Sequence, residues 1–227
     1  MRYYPIFLDL RGRHCTVVGG GLVAERKVKA LLRAGASVQV ISPTVTPRLA
    51  ILAAREKIQL TPRAYRATDL EGPASAPQEG ASGIPPVLVF AATDDPEAQK
   101  AVRKDAEAVR ALVNAADDAR ESDFIVPASF VQGDLLVAIS TSGASPALAR
   151  RLRRQLQLTL GREYRTYLQF LREARKHVMA TVPDETQRAK IFRQLSGAPV
   201  MDWLMKGLPR QAARDAKKWL AKVTGTE

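Results

Sequence analysis

The spacing of apolar positions changes several times along the first 115 residues, and each change marks an element. Thr16 to Val18 is a short β-branched run of the kind that forms a buried strand. After Gly19-Gly20-Gly21 the apolar positions shift to helical spacing at Val23, Val28, Leu31 and Leu32, and a second strand pattern, Ser37 to Ile41, follows Gly35. Strand, turn, helix and strand in that order predict a βαβ unit. Ser42-Pro43 ends the second strand, Thr44 is the expected cap of a helix over 47–55, and Ile58 to Leu60 reads as a third strand. Residues 72–86, rich in Gly, Pro, Ser and Ala without periodicity, read as a surface loop. Val87 to Ala92 is the strongest central strand, Asp94-Asp95-Pro96 starts a helix over 97–110, and Leu112 to Asn114 is the next strand.

The alternation stops after Asp117. Phe124 to Val131 and Leu135 to Ser140 flank Gln132-Gly133-Asp134 and read as a hairpin. A hairpin alone is marginal in water, so this one is expected to pair across a subunit interface. Ser145-Pro146 then opens a helix with Leu148, Leu152, Leu156 and Leu160 in register, followed by helices over 163–182, 184–195 and 209–223. In the second of these, Tyr164, Leu168, Leu171 and Val178 form the expected inner face, and Trp203 and Trp219 are expected in the core. The fold class is therefore α/β: a Rossmann-type doubly wound parallel sheet, then a β-hairpin dimerisation segment and a C-terminal helical module. The expected divisions are 1–115, 116–145 and 146–227.

Charge sharpens this picture. Residues 1–144 carry 17 Lys/Arg and 16 Asp/Glu, whereas residues 145–227 carry 18 and 7, so nearly all of the net +12 belongs to the helical module. That asymmetry points to a polyanionic partner or to an arginine-rich solvated face. One cysteine, Cys15, leaves no internal disulfide, and two histidines, His14 and His177, cannot form a standard His/Cys metal cluster; no metal site is assigned. Both histidines read as structural or surface residues. No signal peptide or membrane span is legible, which makes the cytoplasm the expected location.

The chemistry sits in Gly19-x-Gly21-x-x-Ala24, the dinucleotide fingerprint in its alanine form, with a strand before it and a helix after it. Gly19 makes the turn, Gly21 lets the backbone approach a pyrophosphate, and the helix start at Leu22 and Val23 offers free N–H groups and a positive dipole end. Ligands of such sheets bind at the carboxyl ends of the strands. This brings Gly20, Pro43, Thr44 and Thr93 into the expected cofactor site. The second strand ends without an Asp or Glu for the adenosine ribose, and Arg48 lies nearby, so the residues leave NAD and NADP open.

Pro5-Ile-Phe-Leu-Asp-Leu, Val18-Gly-Gly-Gly-Leu-Val-Ala-Glu-Arg-Lys27, Ala91-Ala-Thr-Asp94, Asn114-Ala-Ala-Asp117, Phe124-Ile-Val-Pro127 and Ser142-Gly-Ala-Ser-Pro146 occur in the order found in precorrin-2 dehydrogenases. The chain resembles that family, which includes the dehydrogenase/ferrochelatase part of siroheme synthase, well over residues 1–160 and loosely beyond. The resemblance implies NAD-dependent oxidation of precorrin-2 to sirohydrochlorin, a homodimer, and Fe2+ as a further substrate where iron insertion accompanies it. It implies Asp117 as the catalytic carboxylate and Asn114, Ser142 and Ser145 as substrate-binding residues. It also makes the polycarboxylate tetrapyrrole, rather than nucleic acid or a membrane, the expected partner of the basic module. The methyltransferase domain fused in the trifunctional enzyme is not expected within these residues, so precorrin-2 would come from elsewhere. Two other classes compete: a dinucleotide-sensing DNA-binding protein, and a regulatory subunit that binds NAD without catalysis. The first requires a recognition helix that the scattered arginines do not supply. The second requires function to survive loss of Asp117.

Overall fold

The computed structural model describes residues 3–71, 85–115, 121–196, 200–206 and 209–224. The chain divides into two compact units, 1–126 and 127–227. In the first unit β1 (His14–Val18), β2 (Ser37–Ile41), β3 (Gln59–Thr61), β4 (Leu88–Ala91) and β5 (Leu112–Ala115) form one parallel sheet in the order β3-β2-β1-β4-β5. Val17 and Phe90 face one side, which is closed by α1 (Leu22–Arg33) and α2 (Pro47–Ala54) through Val28, Leu31 and Leu49. Val18, Val89 and Val113 face the other, closed by α3 (Pro96–Ala108) through Val102 and Ala106. Burial on both faces explains why these strands read as continuous apolar runs rather than alternating ones.

Local chemistry moves several boundaries. The cap of α2 is Thr46, not Thr44: Pro47 occupies the first helical position and the Thr46 hydroxyl accepts from Leu49 N, while the Thr44 carbonyl is taken by Ser42 Oγ at 2.7 Å. β3 lies one residue later than expected, and a short 3-10 helix, Ala67–Leu70, was not foreseen. Most of the loop read at 72–86 falls outside the described residues. His14 opens β1 and is buried, and burial lowers its pKa, so it is a neutral core residue.

The chain beyond β5 is pinned back onto that strand. Asp123 accepts from Val113 N and from Arg103, both at 2.8 Å, and Ser122 Oγ accepts from Ala115 N at 3.0 Å. Phe124 then packs its edge against Phe90, with ring centroids 5.5 Å apart and planes at 85°. The hairpin therefore starts at Ala128 rather than at Phe124.

In the second unit β6 (Ala128–Gln132) and β7 (Leu135–Ile139) are antiparallel around Gly133-Asp134. Gly133 has φ +64°, the conformation that glycine supplies at the first central position of a type II′ turn. The turn lies on α5 (Glu163–Thr181), with Gly133 against Arg165 and Asp134 paired with Arg172. Phe130 faces inward and is buried, whereas the cross-strand pair Val131 and Leu136 is 59% and 43% exposed. α4 (Pro146–Thr159) buries only Ala149, and Leu148 and Leu156 of the expected stripe stay exposed. The inner face of α5 follows Tyr167, Ala174 and Val178, displaced from the expected line because the Tyr167 hydroxyl reaches Leu195 O at 2.9 Å, at the end of α6 (Glu185–Ser196). An unforeseen helix, α7 (Val200–Met205), and α8 (Pro209–Thr224) complete the unit, and Trp203 is partly buried against Tyr167 and Val200. The side chain of Trp219 is outside the described residues.

Replacing Asp123 by Ala should lower the unfolding free energy of the first unit by about 1–3 kcal/mol, because Val113 N is left without its acceptor. Asp123→Asn, which keeps an accepting oxygen, should lose less; urea denaturation of the two variants checks both.

Candidate dinucleotide site

Backbone crowding builds this site. Gly19, at φ +118°, follows β1 so closely that a Cβ would lie 2.0 Å from the carbonyl oxygen of Ala92, just past β4. A Cβ on Gly20 would lie 1.9 Å from the Thr44 carbonyl oxygen, just past β2. Both glycines are therefore required by the protein itself, and backbone bonds hold them: Gly19 N to Ile41 O and Thr46 N to Gly20 O, each 2.9 Å. Gly21 differs. A Cβ there would meet nothing within 4 Å, and Gly21 is the N-cap of α1 with no side chain satisfying the first turn. The N–H groups of Leu22 and Val23 begin the helix there, with Leu22 74% exposed. An open backbone edge at a helix N-terminus, at the switch point where strand order reverses between β1 and β4, fits a pyrophosphate. The small third residue, Ala24, is fully buried against the sheet.

Two charged residues that the sequence reading quoted without a role prove to be organising ones. Glu25, on the buried side of α1, accepts from Thr46 Oγ1 at 2.8 Å and pairs with Lys29 at 2.5 Å and Arg48 at 3.6 Å. The Lys29 and Thr46 bonds hold its carboxyl below the usual range. Because Thr46 caps α2, Glu25 ties the glycine turn to the loop after β2. Lys27 donates to Asn114 Oδ1 at 2.9 Å and lies 5.0 Å from the centre of the Phe90 ring. The legible signal was spacing: Glu25 and Lys27 flank positions 24 and 28, which face the sheet, so charged groups stand at the edge of a buried stripe.

The other expected site residues sort by unit. Pro43 and Thr44 are exposed after β2. Thr93 is half-buried after β4, where its hydroxyl accepts from Asp95 N at 3.3 Å and its carbonyl from Gln99 Nε2 at 2.6 Å. Asn114 is buried on β5 with both ends of its amide engaged, Oδ1 by Lys27 and Nδ2 donating to Phe124 O at 3.0 Å. Asp117 lies outside the described residues. Ser142 and Ser145 belong to the second unit. Ser142 is exposed at φ +53°, and Ser145 caps α4 by accepting from Leu148 N at 3.2 Å. A cavity of about 530 Å³ in that unit, between α5, α7 and α8, is lined by Phe170, Ala174, His177, Val200 and Leu204 among others. None of its lining residues belongs to the glycine turn or to the start of α1. Among the described residues no group of three or more His, Cys, Asp or Glu side chains could hold a metal ion.

The sequence profile of a family described as putative NAD(P)-binding matches residues 6–128, which include the whole parallel sheet. This chain belongs to that family. A second profile, described as sirohaem biosynthesis protein central, matches residues 132–157. The chain is 38% identical over 221 residues to the siroheme synthase of Chromobacterium violaceum, covering 97% of this chain and 44% of that one. It is 36% identical to the siroheme synthase of Methylobacillus flagellatus, covering 95% and 43%. It thus spans less than half the length of these curated relatives. The solved structure of SirC, precorrin-2 dehydrogenase, matches with a TM-score of 0.71 at 28% identity, over 95% of this chain and 100% of that one. The resemblance read from the sequence motifs, and the Rossmann-type class with its hairpin and helices, are borne out. Membership of the family brings a nicotinamide cofactor. No helix among the described residues is long and apolar enough to cross a membrane.

Gly21→Ala should leave the fold stable to within about 1 kcal/mol, since its Cβ points into open space, yet weaken dinucleotide binding at least about tenfold. Gly20→Ala should instead destabilise the unit itself. Thermal melts paired with calorimetric titration of NAD and NADP separate the two effects.

Proposed function

We propose that this chain oxidises precorrin-2 to sirohydrochlorin, with NAD as the hydride acceptor. The observation that carries this reading is the likeness to a precorrin-2 dehydrogenase over 95% of the chain, which reaches into both units. The open backbone at Gly21 supports dinucleotide binding there. The choice of NAD over NADP rests on the family resemblance, and parallel titration with both cofactors tests it.

The reaction removes two electrons and two protons' worth of hydrogen from the macrocycle, as one hydride and one proton. Bound nicotinamide supplies the hydride acceptor. The chain's own work is to hold and to deprotonate. Gly19 and Gly20 set the turn, the N–H groups of Leu22 and Val23 receive the pyrophosphate, and Pro43, Thr44 and Thr93 border the path of the dinucleotide along the strand ends. Asp117, two residues along the chain from the end of β5, accepts the proton. Asn114, Ser142 and Ser145 are the proposed substrate contacts, and the basic helical unit attracts the substrate's carboxylates. Ferrous iron is a second substrate on this reading, with the same aspartate taking pyrrole protons as metal enters.

An anaerobic absorbance assay with enzymatically generated precorrin-2 tests the proposal. The wild type should form sirohydrochlorin only with a nicotinamide cofactor, and Asp117→Ala should be slower by about 10²–10⁴. Subsequent ferrous iron should yield siroheme. A folded protein that binds dinucleotide but oxidises nothing would favour the regulatory reading instead.

The working form is a homodimer, a reading supported by the outward Val131–Leu136 pair and the exposed leucines of α4. A two-stranded sheet with an apolar outer face needs a second sheet to cover it. Val131→Lys combined with Leu136→Lys should convert the dimer to monomer in light scattering on a sizing column, while the far-ultraviolet circular dichroism is retained.

A further inference from the structure

Four residues close a ring on the α1 face of the sheet, near the carboxyl ends of β4 and β5, with one link through the Phe124 backbone carbonyl. Lys27 donates to Asn114 Oδ1 at 2.9 Å, and Asn114 Nδ2 donates to Phe124 O at 3.0 Å. Phe124 meets Phe90 edge-on at 5.5 Å, and the Phe90 ring lies 5.0 Å from the Lys27 ammonium. Phe90 and Asn114 are directly paired across the two strands, so the ring is anchored in the sheet. We propose that Lys27 is a positioning residue for the dehydrogenation, acting through the Asn114 amide to hold the end of β5 in its productive arrangement. This inference rests on the precorrin-2 dehydrogenase reading.

An amide alone can be turned over, exchanging its donor and its acceptor. A cation at Oδ1 forbids that, because an ammonium has three donors and no acceptor. Lys27 therefore dictates that Nδ2 faces Phe124. Among the described residues no carboxylate pairs with Lys27, and burial lowers its pKa, with Arg26 adding to the shift. A lysine kept only for stability at a partly buried position would gain most from an acidic partner. Among the described residues the charge meets one amide and one ring face. The same strand end is also fixed by Ser122 and Asp123, so losing Lys27 should disturb alignment more than folding.

The experiment compares wild type with Lys27→Met, Lys27→Arg, Asn114→Leu and Lys27→Met/Asn114→Leu, all in the full chain. Under single-turnover conditions Lys27→Met should reduce dinucleotide about 10- to 10²-fold more slowly, the scale set by small misplacements of reacting groups. Its NAD dissociation constant should stay within about twofold, because the glycine turn is untouched. Asn114→Leu, which also removes a proposed substrate contact, should lose at least as much, and the double variant no more than Asn114→Leu alone, as residues acting in one unit are non-additive. Lys27→Arg, which keeps the cation and its donors, should retain most of the rate. Lys27→Gln is too short to reach Asn114 and should behave as Lys27→Met; it carries the comparison should the apolar variant not fold. In the amide NMR spectrum the side-chain NH2 pair of Asn114 should move in Lys27→Met and hold its place in Lys27→Arg. A wild-type rate in Lys27→Met, additive losses in the double variant, or an unmoved Asn114 signal overturns the inference while leaving the dehydrogenase reading intact. A wild type that fails to oxidise precorrin-2 ends both.

Discussion

Three backbone segments crowd together at the ends of β1, β2 and β4, and the first unit depends on their closeness. The carbonyl oxygens of Thr44 and Ala92 stand where the β-carbons at positions 20 and 19 would be. Glycine is thus demanded twice by the protein before any ligand is considered, and the third glycine, which faces open space, is the one left for a partner. Helix α1 begins at that point, so its unpaired N–H groups and dipole end are aimed outward by the same packing that forbids side chains behind it. Structural necessity and binding chemistry occupy adjacent residues and are separable by what a methyl group would touch.

Buried polar contacts then lock the turn to its surroundings. Glu25 reaches the cap of α2, and Lys27 reaches β5, so two charges from one turn of α1 connect it to the strand ends on either side. Each satisfies groups that would otherwise be costly to bury. The fingerprint region is consequently held by long-range side-chain contacts as well as by its own backbone.

The second unit follows a different logic. Its helices bury a core around Tyr167, Val178 and Ile191, but the hairpin and α4 leave apolar side chains uncovered. Inward-facing Phe130 and the contacts of the turn with Arg165 and Arg172 tie the hairpin into this unit. The excess of arginine and lysine beyond residue 144 leaves this unit strongly basic.

The sequence by itself determined the parallel sheet, its helices, the glycine turn and the family motifs, because periodicity, turn chemistry and helix caps are set by neighbours along the chain. Even there the cap of α2 moved from Thr44 to Thr46, since two hydroxyls of similar character compete within three residues. Only the tertiary structure decided that Gly20 is filled from behind and Gly21 is free. It alone showed that Lys27 belongs to Asn114, and that Phe124 leaves the hairpin to pack on Phe90. Lys27 and Asn114 are 87 residues apart, and nothing in the spacing of either announces the other. Such pairings arise only when folding brings distant side chains together and buries them, where an unmatched donor or charge carries its full cost.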